Sequence, residues 1–362
     1  MSIRFRRTLS TLLPALALLA QASGAAASTL NQNASWTIDR ADTSTRFRSV
    51  AYGDSIYAGY NGSLTSAAKF AAPVVNAEYL SAQWNADVES VRRTKSGAVA
   101  ADIYNNKIVA ERSYMQASNT RVVTFEMCGN DALQARSGFR KQTGTCDYSG
   151  IAAAVNSCRT YVTASMDYIN TNAYPGVKLK VISNLHYPGY ATDNTQSSCT
   201  DPNTGAPVKM QDTFLSALAR MNFIMCDVAR QKGFQCADNF AQYMAADYDS
   251  NGDGRIDSDA LRYVAGETEA SYMTRLTATL RGTLRDANTK FVSSGSSFDY
   301  LQSDDTHPTY NGGSITSGLF GSSTGSGAAR FGTINAGKNP IWNQFGHERI
   351  GWAVSTFNPA TP

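Results

Sequence analysis

The sequence predicts an α/β fold in which a mostly parallel β-sheet is covered by helices on both faces. Short apolar runs typical of buried strands alternate with segments of helical periodicity. These helical segments are long enough to connect parallel strands, which need a crossover on one face of the sheet. A serine also follows directly after the first of these strands, as expected of a site at the carboxyl edge of such a sheet.

The expected elements follow one another along the whole chain. A first strand at 48–52 ends at Gly53, where the absence of a Cβ lets the backbone turn sharply. The segment 98–115 has the apolar spacing of a helix. The remaining expected helices are 72–85, 151–170, 211–232, 267–287 and 342–357, and the remaining expected strands are 87–91, 121–127, 177–184 and one within 234–243.

Three polar motifs carry the candidate chemistry. Asp304-Asp305-Thr306-His307 places a carboxylate three residues before a histidine, so one short loop supplies a base and the group that orients it. Ser55, in Gly53-Asp54-Ser55, is the serine that such a histidine would activate. Asn130 follows the strand at 121–127, and its side-chain amide could donate a hydrogen bond to an oxyanion.

In this order, the three motifs resemble the SGNH (GDSL-type) hydrolase superfamily of esterases and lipases. The resemblance implies a flavodoxin-like three-layer α/β/α sandwich. It implies that Ser55, Asp304 and His307 are catalytic, and that Ser55, Gly97 and Asn130 form the oxyanion hole. Gly97 rests on the resemblance alone. Gly129 departs slightly from the family pattern, because it directly precedes Asn130 with no residue between them.

The resemblance also implies a reaction and leaves alternatives open. The expected substrate is an ester of a lipid, an acetylated sugar or a short-chain acid, and no cofactor is expected for catalysis. An acyltransferase would use the same residues with a different acceptor. A binding protein that depends on calcium and lacks activity is a third alternative. Ser55 could also be a turn serine and Asn130 a capping residue.

The first residues predict export of the chain. Residues 1–27 combine three arginines, an apolar run and a small-residue Ala-x-Ala end, which is typical of a secretory signal. The mature chain, secreted or periplasmic, would have a net charge near zero instead of +3, so nucleic acid is not an expected partner. No further segment is apolar enough for a membrane helix, and a monomer is expected.

The expected organisation is a single hydrolase domain with insertions. A polar, irregular lead-in segment at 28–47 precedes the domain, which covers 48–362. The insertions lie at about 190–210, 245–266 and 309–340. The last of these is rich in glycine and serine and separates His307 from the closing helix, so it could form a lid or a substrate rim.

Six cysteines predict disulfide bonds in an exported chain. No Cys-x-x-Cys pair is present, which disfavours metal ligation, but six cysteines permit 15 connectivities and the sequence does not select one. The six are Cys128, Cys146, Cys158, Cys199, Cys226 and Cys236.

The second insertion contains a motif similar to the calcium loop of an EF-hand. Oxygen ligands recur at positions 1, 3 and 5, with glycine at position 6 and an apolar residue at position 8. Ala260 stands at position 12, where such loops have glutamate, so weaker binding is expected, and a turn without an ion is the alternative. The candidate ligands of a structural calcium ion are Asp249, Asn251, Asp253, Arg255, Asp257 and Asp259.

Overall fold

Strands and helices alternate through most of the protein in the computed structural model. The described residues are 32–40, 45–62, 67–186, 198–244, 261–282, 302, 304, 306–310 and 346–362. The expected signal at 1–27, the calcium-like loop and nearly all of the insertion at 309–340 lie outside them.

The eight described strands form two sheets. They are β1 (Ala34–Ile38), β2 (Arg46–Gly53), β3 (Asp87–Thr94), β4 (Thr120–Phe125), β5 (Thr143–Thr145), β6 (Leu179–Ser183), β7 (Ser198–Thr200) and β8 (Gln235–Ala237). The main sheet has the order β1-β3-β2-β4-β6-β8, and β5 pairs with β7 in a separate small sheet. All neighbours in the main sheet are parallel except β1, which runs antiparallel to β3.

The five parallel strands have the flavodoxin-like order 2-1-3-4-5 when they are counted from β2. This order confirms the predicted fold class. The chain first moves from β2 outward to β3 and then crosses back to β4, so β2 and β4 flank the point where the direction reverses. Ligands of open α/β sheets bind at this point, beyond the carboxyl ends of the strands.

Helices cover both faces of the main sheet. They are α1 (Ser55–Ala58), α2 (Ala72–Trp84), α3 (Ala100–Asp102), α4 (Ser113–Gln116), α5 (Gly129–Phe139), α6 (Ser149–Asn172), α7 (Met210–Lys232), α8 (Asn239–Met244), α9 (Glu269–Gly282) and α10 (Gly346–Ser355), with a π-helix at Ile103–Val109. One apolar cluster joins the sheet to α5, α6 and α7, and a second joins its other face to α2 and α10.

The strands are buried on both sides, as their continuous apolar runs predict. Val50, Val122, Val123 and Val181 are fully buried. Burying a valine of this kind contributes about 1.5–3 kcal/mol relative to leaving it exposed. The sheet is therefore a rigid base on which the loops at its carboxyl edge are mounted.

The carboxyl ends of the central strands are level with one another. Gly53 pairs with Thr94 on β3, Tyr52 with Phe125 on β4, and Phe125 with Ile182 on β6. The residues that follow these strands consequently meet at one edge of the sheet.

Two parts of the sequence fold differently from the prediction. The lead-in segment at 28–47 is not irregular throughout, because Ala34–Ile38 adds an antiparallel edge strand beside β3. The helix expected at 98–115 is divided by the π-helix. Within it, the buried Lys107 ammonium contacts Glu111 and the side-chain oxygen of Asn33, each at 3.0 Å.

Candidate active site

Ser55 lies in a tight turn at the carboxyl end of the central strand β2. Gly53 ends the strand, and a Cβ there would lie 2.5 Å from Oε1 of Glu126, so only glycine fits without displacing that side chain. Asp54 caps the one-turn helix α1 by accepting a hydrogen bond from the Ile56 N–H at 2.9 Å. Ser55 is therefore the first helical residue, and it is 5% exposed.

His307 contacts both Ser55 and Asp304. Its Nε2 atom lies 2.9 Å from Ser55 Oγ, and its Nδ1 atom lies 2.6 Å from Asp304 Oδ2. An ionised carboxylate only accepts, so the hydrogen belongs on Nδ1, and Nε2 is free to accept the serine proton. The structure thus brings together the three residues that the sequence predicts as nucleophile, base and orienting group.

Asp304 also shapes the loop that carries the histidine. Its Oδ1 atom accepts hydrogen bonds from the N–H groups of Thr306 at 3.1 Å and His307 at 3.0 Å. Partial burial raises the pKa of Asp304, but the hydrogen bonds and charge of His307 outweigh this effect and lower the pKa to about 2. The carboxylate is therefore ionised at neutral pH, as its orienting role requires.

Two residues that the sequence does not single out as catalytic hold the histidine loop. The buried imidazole of His186 donates from Nε2 to the Thr306 carbonyl at 2.9 Å. Gln302 donates from its side chain to the carbonyls of Tyr60 and Pro308, at 2.8 Å each, and from its backbone to the His307 carbonyl at 2.7 Å. These bonds attach the histidine loop to the sheet and to the segment after α1.

Tyr60 lies against the ring of His307. The centroids of the Tyr60 and His307 rings are 4.3 Å apart, and the ring planes are inclined by 41°. This contact fixes the position of the imidazole ring in addition to its two hydrogen bonds. In the sequence, the only indication of this contact is that Tyr60 lies five residues after Ser55, and spacing is a weak signal in a loop.

Asn130 lies beside the nucleophile turn, at the start of α5. Its side chain is 3% exposed, and its Nδ2 atom donates to Asp54 Oδ2 at 2.9 Å and to the Ala98 carbonyl at 3.0 Å. Both amide hydrogens are thus directed at protein acceptors. A substrate oxyanion would have to accept one of these two amide hydrogens in place of its present acceptor. The Ala98 carbonyl is the acceptor more easily replaced, because it is neutral, whereas Asp54 is a carboxyl group.

Gly97 occupies the turn that follows β3. It has a φ of 78°, in the left-handed region that favours glycine. The turn is attached to the nucleophile strand by the hydrogen bond from the Lys95 N–H to the Gly53 carbonyl, at 3.0 Å. Ala98, whose carbonyl binds Asn130, is the next residue. Gly97 therefore lies in the same loop cluster as the other candidate oxyanion-hole residues.

Glu126 is a further buried residue behind the nucleophile. It follows the last residue of β4, is 3% exposed, and accepts a hydrogen bond from the Asp54 N–H at 2.6 Å. The sequence indicates only a strand at this position. A charged residue next to an apolar run is a usable signal, but it does not reveal the contact with Asp54.

All six cysteines form disulfide bonds, which confirms the predicted chemistry and supplies the pairing that the sequence left open. Cys128 is bonded to Cys158, Cys146 to Cys199, and Cys226 to Cys236. The first bond lies next to the site, because Cys128 directly precedes Gly129 and Asn130. Cys128 has a φ of 80°, which is unusual for a residue with a Cβ. Its disulfide bond to Cys158 in α6 helps to hold the backbone in this conformation.

The candidate calcium ligands lie outside the described residues. Among the residues that the structure does describe, there is no group of three or more acidic, histidine or cysteine side chains suited to a metal ion. The two described ends of the loop are packed together, since Phe240 in α8 and Leu261 belong to one buried cluster with Tyr272 in α9. Within the described residues, no helix is long and apolar enough to cross a membrane.

No family model matches the chain. No curated protein matches it either.

Several solved structures are similar to the chain at low sequence identity. A lipase from a goat rumen metagenome is 16% identical, covers 65% of this chain and 96% of its own, and gives a TM-score of 0.42. A phospholipase A1 from Streptomyces albidoflavus is 18% identical over 65% and 98% of the two chains, with a TM-score of 0.39. An acetylxylan esterase from Geobacillus stearothermophilus is 14% identical over 67% and 95%, with a TM-score of 0.31.

Proposed function

We propose that the chain is a secreted serine esterase of the SGNH type, which hydrolyses carboxylic esters through an acyl-enzyme on Ser55. One observation carries the proposal: a continuous line of hydrogen bonds runs from Ser55 Oγ through the His307 ring to the Asp304 carboxylate. This arrangement can activate a serine hydroxyl at neutral pH. The nucleophile lies at the carboxyl edge of a parallel sheet, where such sites are commonly assembled.

The reaction begins with attack of Ser55 Oγ on the ester carbonyl carbon. His307 Nε2 takes the hydroxyl proton, and Asp304 stabilises the imidazolium that forms. Collapse of the tetrahedral intermediate breaks the bond to the alcohol, which leaves with the proton from His307. A water molecule then attacks the acyl-enzyme with His307 again as base, and the acid and Ser55 are released. Every proton is carried by His307, so the reaction needs no cofactor.

The negative charge on the intermediate needs hydrogen-bond donors at the same edge of the sheet. The Asn130 amide and the backbone N–H groups of Ser55 and Gly97 are the proposed donors. The position of Asn130, whose Nδ2 atom lies 2.9 Å from Asp54 Oδ2 and which is two residues after Cys128, supports its role. Loss of one such donor typically lowers turnover by about 10²–10³-fold.

Export of the chain is proposed on two grounds. Residues 1–27 have the composition of a secretory signal. Three disulfide bonds fit an oxidising compartment such as the periplasm or the extracellular space.

A structural calcium ion is proposed for the loop at 249–259. The proposal rests on the spacing of its oxygen ligands. Phe240 and Leu261, which flank the loop in the sequence, belong to one buried cluster with Tyr272, so an ion bound by the loop would stabilise the fold.

A substrate panel tests the proposed function. Purified mature protein is assayed on p-nitrophenyl esters of increasing acyl length, on acetylated xylan and on a phospholipid, next to Ser55→Ala. We expect hydrolysis of at least one ester class, with release of the free acid, and loss of that activity in Ser55→Ala. Ser118→Ala, an exposed serine outside the site, is the matched control and should retain full activity. Absence of hydrolysis on the whole panel would contradict the proposal.

A further inference from the structure

Two buried carboxyl groups, those of Glu126 and Asp54, are in contact directly behind the nucleophile. Glu126 is 3% exposed and Asp54 is 1% exposed. Glu126 Oε1 accepts a hydrogen bond from the Asp54 N–H at 2.6 Å, and the two carboxyl groups are close enough to share a proton. Among the described residues, no lysine or arginine forms an ion pair with either carboxyl. Two adjacent carboxylates that lack a cation would repel strongly in a buried site, so one of them holds a proton.

The surroundings of the two carboxyls differ and indicate which one is neutral. Burial and the adjacent charge of Asp54 raise the pKa of Glu126 well above its ordinary value. Burial also raises the pKa of Asp54, but hydrogen bonds from Glu126 and the Ile56 N–H, and the charge of His307, oppose this effect. Glu126 is accordingly the acid that donates its proton, and Asp54 is the carboxylate that accepts it.

Glu126 contacts the residue that directly precedes Ser55 in the chain. Its Oε1 atom accepts a hydrogen bond from the Asp54 N–H at 2.6 Å. It thereby fixes the backbone of the turn that carries Ser55. Gly53 allows this close approach, because any Cβ there would meet the Glu126 oxygen.

The contacts of Asp54 extend this support to the oxyanion donor. Asp54 Oδ2 accepts a hydrogen bond from the Asn130 amide, and Asp54 Oδ1 accepts one from the Ile56 N–H. A proton donated by Glu126 keeps Asp54 in place without adding a second negative charge. Glu126 is therefore linked through Asp54 to both the nucleophile turn and Asn130.

We propose that Glu126 is a positioning residue of the esterase site: a neutral carboxylic acid whose O–H holds the Asp54 carboxylate and whose carbonyl oxygen holds the Asp54 N–H, directly before Ser55. The inference rests on the proposed esterase function. It adds that the site requires one proton that never takes part in the reaction.

Several titratable groups face this pair from the elements packed around it. His307 faces Asp54 from its loop. The hydroxyl of Tyr57, on α1, bonds to Ser183 Oγ on β6 at 2.7 Å, and burial raises its pKa, so it is neutral. Asp131, on α5, lies within electrostatic reach of Asp54. The carboxyl groups of Asp54 and Asp131 both disfavour a further negative charge on Glu126, which therefore keeps its proton.

Two substitutions separate the neutral acid from a charged one. Glu126→Gln keeps one donor and one acceptor and carries no charge, so it should retain kcat within about threefold of wild type. Glu126→Leu has a similar size but cannot bond to Asp54 or to the turn. It should lower kcat about 10²-fold with little change in KM, because misplacement of the nucleophile affects the chemical step more than substrate binding. If Glu126→Gln lost as much kcat as Glu126→Leu, a negative charge on Glu126 would be required. Full activity of Glu126→Leu would exclude a positioning role for Glu126.

A measurement that does not depend on activity completes the test. Infrared difference spectra of wild type minus Glu126→Gln at pH 8 should contain the C=O stretch of a protonated carboxyl. A carboxylate band in its place would overturn the inference, even if Glu126→Leu failed to fold. If wild type itself hydrolyses no ester, the proposed function fails. If wild type is active and the infrared band is missing, only the role of Glu126 fails.

Discussion

The Nε2 atom of His307 lies 2.9 Å from the hydroxyl oxygen of Ser55, although 252 residues separate the two in the sequence. The sheet explains how they meet. Ser55 follows the central strand β2, and the His307 loop is held over the same edge by His186, which follows β6 and donates to the Thr306 carbonyl. The contact thus depends on the parallel arrangement of the strands, and changes in the loop anchors should affect it as much as changes in the triad.

Asp304→Asn should lower kcat by about 10²–10⁴-fold while the fold remains intact. The amide would let His307 adopt the wrong tautomer and would not stabilise the imidazolium. Since the Asp304 side chain is 41% exposed, its replacement leaves no buried cavity. Stopped assays of kcat and thermal melts of the same preparations would check both statements. Turnover near that of wild type would exclude Asp304 as the orienting group.

His186 should make the protein less stable in acid. Burial lowers its pKa to about 3, against about 6.5 in the unfolded chain. Its contribution to stability is therefore present above about pH 6.5 and is lost as the pH falls towards 3, because only the unfolded chain binds the proton in that range. The buried His347, whose pKa also lies well below the ordinary value, should act in the same direction.

The measurement is the free energy of unfolding in urea between pH 4 and pH 8. His186→Gln retains a donor for the Thr306 carbonyl but has no titrating ring. Below about pH 6.5, the free energy of unfolding of wild type should decrease more steeply with falling pH than that of the variant. The difference between the two slopes should be about 1.4 kcal/mol per pH unit. Parallel curves for the two proteins would contradict the buried, neutral state of His186.

Removal of the Cys128–Cys158 bond should affect both stability and catalysis. The bond closes a 30-residue separation, and its loss should cost about 2–4 kcal/mol. Because Cys128 has a φ of 80° and directly precedes Gly129-Asn130, kcat should also fall. Alanine at both positions is compared with alanine at Cys226 and Cys236, whose bond closes a 10-residue separation away from Asn130. The control pair should lose stability but keep kcat, and equal kcat values in the two variants would contradict a role for the first bond at the site.

Chelation should lower the melting temperature of the mature protein if the loop at 249–259 binds calcium. A chelator removes an ion bound only by the folded state, and added calcium should restore the temperature. Asp253→Asn weakens the proposed site and should abolish the effect of the chelator. Initial rates at low temperature should change little, since the loop supplies no catalytic residue. A melting temperature that does not respond to chelator or calcium would remove the ion from this account.

Much of the site is predictable from the sequence because its chemistry requires particular side chains at particular places. A carboxylate three residues before a histidine, a serine after a strand-ending glycine, and an asparagine after another strand indicate Asp304, His307, Ser55 and Asn130. The alternation of strands and helices likewise predicts the parallel sheet.

The supporting residues are less predictable because their roles arise from contacts between distant segments. In the sequence, Glu126 is only an acidic residue at the end of a strand. Its contact with Asp54 is visible only in the folded structure. Gln302 and Tyr60 meet only through the loop that carries His307. The disulfide pairing and the antiparallel edge strand at Ala34–Ile38 also depend on tertiary neighbours that the sequence alone does not reveal.

The central claim is that Ser55 is a nucleophile activated by His307. Incubation of the mature protein with a fluorophosphonate, followed by peptide mass spectrometry, tests it directly. We expect one adduct per chain, on Ser55, formed rapidly in wild type, at least about 10²-fold more slowly in His307→Ala and not at all in Ser55→Ala. Failure of the wild-type protein to react, or labelling at another serine with equal speed in Ser55→Ala, would contradict the claim.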